Sequence, residues 1–282
     1  MAGQTAGVGD VAVVIGVGGM GRAVARRLGG GRTLALADND DGALEGFARE
    51  LRAEGHDVRA ARLDVSDADA VAALAATASG LGEVRLLVHT AGLSPVGATA
   101  AAVLAVDLLG VAYVLEEFGE VVAPGAAGVV IASMAGHLGP PVPDEDEAVL
   151  ARTPARQLAA LPLLSPDRHP DAGMAYAFAK RANQLRVRAA SVAWGRRGAR
   201  VNSVSPGVIS TPMGRAELAG PTGSFMRSMV EASGTGRLGT PDDVAAATEF
   251  LLSPAASFVT GTDLLVDGGV IGAFTTGQVD LG

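Results

Sequence analysis

Residues 13–29 read VVIGVGGMGRAVARRLG. An apolar, β-branched run ends at Gly16, and Gly18 and Gly21 complete a G-x-G-x-x-G pattern before apolar residues recur at helical spacing. That order predicts a strand, a tight turn and the start of a helix. Glycine at the first position permits the turn, at the second a close approach of ligand to backbone, and at the third close packing of helix on strand. The free N–H groups of the helix's first turn, with the positive end of its dipole, then suit a pyrophosphate. Gly16, Gly18, Gly19, Met20 and Gly21 are therefore candidate cofactor-binding residues. In a chain with 39 glycines the pattern alone is weak evidence, so its context has to support it.

The context agrees. Apolar runs at 11–16, 33–38, 58–65, 84–92, 127–136, 199–207 and 263–269 alternate with helical patterns at about 20–29, 41–54, 67–79, 99–118, 174–195 and 242–252. Continuous apolar strands separated by helices are covered on both faces, which predicts a doubly wound, Rossmann-type α/β fold with a seven-stranded parallel sheet. A single domain over 1–282 is expected. One segment breaks the alternation: residues 139–171 hold seven prolines and the acidic run Asp144 to Glu147. An excursion of that length is expected to be a partly helical flap, most helical over 148–161.

Composition narrows the function. A net charge of −8 and the absence of a Lys/Arg stripe argue against nucleic acid as a partner. No cysteine is present, which excludes disulfides, thiolate nucleophiles and cysteine-based zinc sites. The four histidines and the carboxylates show no ligand spacing, so no metal site is expected, and Asp144 to Glu147 read as a solvated face. With no secretory or membrane-spanning pattern at the N-terminus, a soluble, cytoplasmic protein is expected. The second predicted strand ends at Asp38, 17 residues beyond Gly21. A carboxylate there can accept the ribose hydroxyls of NAD and repels the 2′-phosphate of NADP, so NAD(H) is expected over NADP(H). Asp38 and Asn39 join the candidate site, although Asp38 to Asp41 could instead only cap the next helix.

Further motifs occur in one order at strand-sized spacings: LDVSD (63–67), HTAG (89–92), IASMAG (131–136), Tyr176-x-x-x-Lys180, VNSVSPGVISTP (201–212) and TGTDLLVDGG (260–269). Together they resemble the short-chain dehydrogenase/reductase family across nearly the whole chain. The flap, AWG at 193–195 and LLSPAASFVTG (251–261) look most similar to its bacterial 3α-hydroxysteroid dehydrogenase/carbonyl reductase branch. The resemblance implies Asp64 and Val65 at the adenine, Thr90, Ala91 and Gly92 along the cofactor, and Pro206, Gly207, Ile209 and Thr211 around the nicotinamide and phosphates.

The chemistry follows from proton handling. Hydride transfer to or from a carbinol carbon leaves a proton to be moved, and a phenol at its ordinary value near pH ~10 is too weak a base. Lys180 lies one helical turn from Tyr176, and an ammonium at that distance favours phenolate. Lys180 can also reach a nicotinamide ribose, and Ser133 can orient the substrate oxygen. The resemblance implies these roles for Ser133, Tyr176 and Lys180; by itself, Tyr-x-x-x-Lys also fits an ordinary amphipathic helix.

Three features depart from the family's pattern. Asp107 stands where an asparagine usually supports a proton relay, and as a carboxylate near Lys180 it could pair with it. The glycine loop is one residue short, with Ile15 at a common threonine position. His89 replaces an asparagine and is expected to be a hydrogen-bonded core residue. His137 and His169 are expected at the surface or in loops. Met213, Phe225, Met226 and Met229 fall in a substrate lid at about 212–236, as an apolar pocket wall or as packing within a helical hairpin.

The expected activity is an NAD-dependent interconversion of a secondary alcohol and a ketone on a cyclic, largely apolar molecule. A non-redox isomerase, dehydratase or cyclase with bound NAD, and a silent NAD-binding protein, are the alternatives. By resemblance, a homodimer or homotetramer is expected.

Overall fold

Residues Val11 to Ile15 are wholly buried although successive side chains of a strand point to opposite faces, so helices must cover both sides of the sheet. The computed structural model describes residues 9–165 and 168–278. Its strands are β1 (Asp10–Ile15), β2 (Thr33–Asp38), β3 (Asp57–Arg62), β4 (Glu83–His89), β5 (Val122–Ile131), β6 (Arg200–Pro206) and β7 (Asp263–Val266). They form one sheet in the order β3-β2-β1-β4-β5-β6-β7, with every pairing parallel. The predicted Rossmann-type sheet is thus present. The chain leaves β1 toward β2 on one side and returns at β4 on the other, which opens a crevice at the C-terminal ends of these strands.

The helices are α1 (Gly19–Leu28), α2 (Asp41–Ala53), α3 (Ala68–Leu81), α4 (Ala100–Val103), α5 (Val111–Gly119), α6 (Ala135–Leu138), α7 (Asp144–Arg152), α8 (Ala155–Leu158), α9 (Ala172–Arg196), α10 (Pro212–Ala219), α11 (Gly223–Ala232), α12 (Pro241–Leu252) and α13 (Val270–Thr275). Residues of α3, α5 and α9 share one buried cluster on one face of the sheet. Those of α1, α2 and α12 share another on the opposite face.

Three boundaries bear on the site. β3 ends at Arg62, so Asp64 and Val65 lie in the loop beyond it, and β5 ends at Ile131, two residues before Ser133. The helix expected over 99–118 is interrupted by a π-helical turn at Leu104–Gly110, whose wider spacing turns Asp107 into the core.

The segment 139–171 is a packed flap. Its helix begins at the acidic run, earlier than the predicted 148, because four carboxylates in a first turn suit the positive end of the helix dipole. Glu147 there pairs with Arg181, and Asp146 lies 3.7 Å from Arg168, so the run is only partly a solvated face. Leu150, Ala155, Leu158 and Leu163 are buried against the α5–α9 face. Arg186, buried on α9, donates to the Leu150 and Thr153 carbonyls at 2.8 and 2.9 Å and pairs with Glu116 at 2.9 Å. Glu116 in turn accepts the Ala155 N–H at 2.8 Å.

Candidate active site

Gly16 turns the chain at a φ of 94°, and a Cβ there would lie 2.5 Å from the Ala91 nitrogen. At Gly21 a Cβ would come within 1.9 Å of the Gly16 carbonyl oxygen, so helix and strand meet only through glycine. Gly18 is different: a Cβ there meets no protein atom within 4 Å, and the residue borders an open cleft of about 280 Å³. The cleft is bounded by Gly16, Gly18, Gly19, Met20, Gly21, Asp38, Asn39, Asp64, Val65, Thr90, Ala91, Gly92 and Thr211, which the sequence reading assembled from five separate motifs. Leu93 and Val106 also line it and carried no motif signal, and Met213, expected in the lid, reaches it too.

This cleft fits a dinucleotide. The N-terminus of α1 has no side-chain cap and no acidic residue in its first turn, so its N–H groups are free for an anion. At the far rim the Asp38 carboxylate accepts the Val17 N–H at 2.7 Å and the Asp40 N–H at 2.9 Å, which fixes its orientation. Asp40, not Asp38, caps α2 by accepting the Ala43 N–H. Arg62 is in register with Asp38 on the neighbouring strand, a cation that the linear sequence did not bring to notice.

Met20, Thr211 and Met213 are shared with a second pocket of about 360 Å³, so cleft and pocket are continuous. Ser133 and Tyr176 line this pocket together with Pro206, Gly207 and Ile209. Its outer wall is apolar, formed by Leu138, Met213, Phe225, Met226 and Met229. Met229 also packs with Met134, Val208 and Val270, so the lid residues serve as pocket wall and as packing together. Among the described residues Glu217 on α10 is the one carboxylate in the lining, and it accepts a hydrogen bond from Ser94 at 2.6 Å.

Asp171 caps α9 by accepting the Met174 N–H, which sets the phase of the helix that carries Tyr176 and Lys180. The Lys180 ammonium lies 5.2 Å from the Tyr176 ring centre, and Ser133 lines the same pocket as the phenol and favours its ionisation. Lys180 is buried with its Nζ 2.8 Å from Asp107 Oδ1, while Asp107 Oδ2 accepts the Leu93 N–H at 3.0 Å. Lys180 acts on Tyr176 in the expected direction, favouring phenolate, but it does not decide the outcome alone. Burial pushes the phenol up, Lys180 pulls it down, Asp107 pushes it up again, and the balance lies above the ordinary value. Burial also opposes the charge on Lys180, yet Asp107 and Tyr176 together raise its pKa.

The histidines need two corrections. His89 is in the core, but neither ring nitrogen has a hydrogen-bond partner. Burial first and Lys180 second lower its pKa to about 3, so the ring is neutral. His169 is in a loop but buried, bonded to the Leu163 carbonyl at 2.6 Å and tilted on Phe178. His137 is partly exposed on α6, 2.8 Å from Asp263. Both line a cavity of about 560 Å³ beneath the flap rather than the pocket of Ser133 and Tyr176.

Among the described residues no helix is long and apolar enough to cross a membrane. The short chain dehydrogenase family model matches residues 10–142, and a model described as enoyl-(acyl carrier protein) reductase matches residues 165–271. The stretch between them falls within the flap. The chain is 40% identical over 260 residues to the short-chain dehydrogenase/reductase bsc3 of Alternaria brassicicola, covering 92% of this chain and 94% of that protein. It is 31% identical to the 3-alpha-hydroxysteroid dehydrogenase/carbonyl reductase of Comamonas testosteroni, covering 78% of this chain and 89% of that protein. A solved glucose/ribitol dehydrogenase-type structure from Brucella melitensis superposes with a TM-score of 0.73 at 29% identity, covering 93% of this chain and 96% of the other. A parallel sheet with a glycine-formed cleft at its switch point, family matches on both sides of the flap and full-length relatives lead to one conclusion: the chain is an oxidoreductase of the short-chain dehydrogenase/reductase family.

Proposed function

We propose that the protein interconverts a secondary alcohol and a ketone on a cyclic, largely apolar small molecule, with NAD(H) as its cofactor. The observation that carries this reading is the continuity of the glycine-formed cleft with a pocket where Ser133 and Tyr176 meet beneath an apolar wall. The pocket volume of about 360 Å³ suits a molecule of a few fused rings, and methionines give its wall an adaptable shape.

Gly18, Gly19 and the free N–H groups of α1 hold the pyrophosphate, Asp38 and Asn39 the adenosine ribose, Asp64 and Val65 the adenine, and Ile209 and Thr211 the nicotinamide end. When bound, the nicotinamide accepts or supplies the hydride. Ser133 donates a hydrogen bond to the substrate oxygen and holds it beside Tyr176, which gives or takes the hydroxyl proton. Lys180 balances charge near the phenol and holds the nicotinamide ribose. Asp38 supports NAD over NADP, because a second anion at this rim is repelled; Arg62 is turned toward Asp41, 3.9 Å away.

The test is a panel of cyclic ketones assayed with NADH and NADPH side by side. Turnover is expected with NADH and is lost in Tyr176→Phe, which keeps NADH binding. Full activity in that variant refutes the proton-transfer role of Tyr176. Conversion of substrate with no net change in nicotinamide absorbance refutes redox and favours the isomerase or dehydratase reading.

A further inference from the structure

The buried charges around Tyr176 do not sum as they would if Lys180 faced the phenol alone. Lys180 and Asp107 form a closed pair at 2.8 Å, Asp107 wholly buried and Lys180 nearly so. Two features built by the chain hold Asp107 there. The π-turn at Leu104–Gly110 rotates it inward, and the Leu93 N–H donates to its second oxygen. Gly92 completes the enclosure, since a Cβ at that position would lie 2.6 Å from Asp107 Oδ1 and 3.4 Å from Lys180 Nζ.

We propose that Asp107 is a positioning residue that acts through Lys180, matching its charge and keeping Tyr176 in the protonated, proton-donating form suited to carbonyl reduction. The inference rests on Tyr176 being the proton-transfer group. With Asp107 ionised, Lys180 and a neutral phenol make an uncharged cluster, and forming phenolate leaves one uncompensated negative charge in a buried site. With a neutral residue at 107, the uncharged arrangement becomes ammonium with phenolate. The exchange of one carboxylate for an amide therefore reverses which form of Tyr176 the cluster favours.

The remaining groups that face Tyr176 do not restore the balance. Ser133, after β5, favours ionisation of the phenol, and Glu217, on α10, opposes it. His89, on β4, is kept neutral by burial and by Lys180 and adds no charge. Asp107 is the anion in direct contact with the lysine.

The experiment needs neither substrate nor cofactor, so its failure is distinguishable from failure of the proposed activity. The chain has two tyrosines, Tyr113 and Tyr176, and subtracting the tyrosinate absorbance titration of Tyr176→Phe from that of the parent isolates Tyr176. Asp107→Asn and Asp107→Ser, each with its own Tyr176→Phe blank, are titrated while circular dichroism follows the fold. Tyr176 should ionise at lower pH in both, by on the order of one to three units. Ionisation at the parent's pH or above overturns the proposal, as loss of packing alone would give no downward shift in a folded protein. Should neither variant fold, the parent decides: Tyr176 should remain protonated as pH rises through about 10, and phenolate formed below that value overturns the proposal.

Discussion

Substituting Gly18 by valine separates cofactor binding from folding more cleanly than any other change in the glycine turn. The residue has φ −69° and ψ −169°, a conformation open to any amino acid, and its Cβ site has no protein neighbour within 4 Å. Replacing glycine by an apolar residue at a helix N-cap costs up to about 1 kcal/mol, and the stiffer unfolded chain returns about 0.4–1 kcal/mol. Net stability should therefore change by less than about 1 kcal/mol, or about 3 °C in Tm for a chain of this size. Binding should behave differently. The branched side chain is added beside the first turn of α1, where the proposed pyrophosphate site has its N–H donors. Losing two charge-assisted hydrogen bonds at about 1.5–3 kcal/mol each weakens binding by at least about a hundredfold. Fluorescence titration with NADH measures this, and a thermal melt of the same sample measures folding. Gly21→Ala is the contrasting control: its Cβ would meet the Gly16 carbonyl oxygen at 1.9 Å, so it should lose about 1–3 kcal/mol of stability as well as affinity. If Gly18→Val binds NADH as the parent does, the cofactor does not lie over α1 and the reading of the cleft is wrong.

Three other outcomes follow from named contacts. Arg186→Met should destabilise the protein by about 3 kcal/mol in urea and expose the flap to limited proteolysis, because Leu150, Thr153 and Glu116 lose their shared donor; a flap as resistant as the parent's would contradict that anchoring. His89 takes up a proton near pH 6.5 when unfolded but only at about 3 when folded, so between those values the unfolded state binds more protons and stability falls with acidification. His89→Asn should flatten this dependence by up to about 1.4 kcal/mol per pH unit, and an unchanged curve of urea midpoint against pH would remove His89 as its source. Ser94→Ala frees Glu217 and should speed proteolytic cleavage within 212–232 while leaving Tm within about 2 °C; equal cleavage rates would show that this bond does not restrain the lid.

The parallel sheet and the glycine turn were legible in the sequence because both are local. Apolar runs such as 11–16 need only neighbouring residues to declare themselves, and the close approaches at Gly16 and Gly21 follow from the turn they make. Arg186 was not legible: within α9 it reads as one more charge on a polar helix, and only the return of the flap over that face makes it an internal anchor. His169 was missed for the same reason, as a residue beside prolines looks like an exposed loop until Phe178 packs on it. The state of Tyr176 was hidden more deeply. Its helical spacing to Lys180 is visible in one dimension, but the partner of Lys180 comes from a different segment, through a π-turn that periodicity reads as ordinary helix.

The departures at positions 89 and 107 lie around the same lysine, but only one of them brings it a charge. Asp107 supplies a negative charge in contact with Lys180, and His89, wholly buried near it, contributes none because burial and the lysine's own field keep the ring unprotonated. A protonated His89 would add a second cation to the cluster and draw Tyr176 back toward phenolate. The inward turn of Asp107 thus biases the phenol toward holding its proton, and the neutral imidazole leaves that bias standing. Since His89 has no hydrogen-bond partner to secure a charged form, its ring stays neutral as pH falls until about 3.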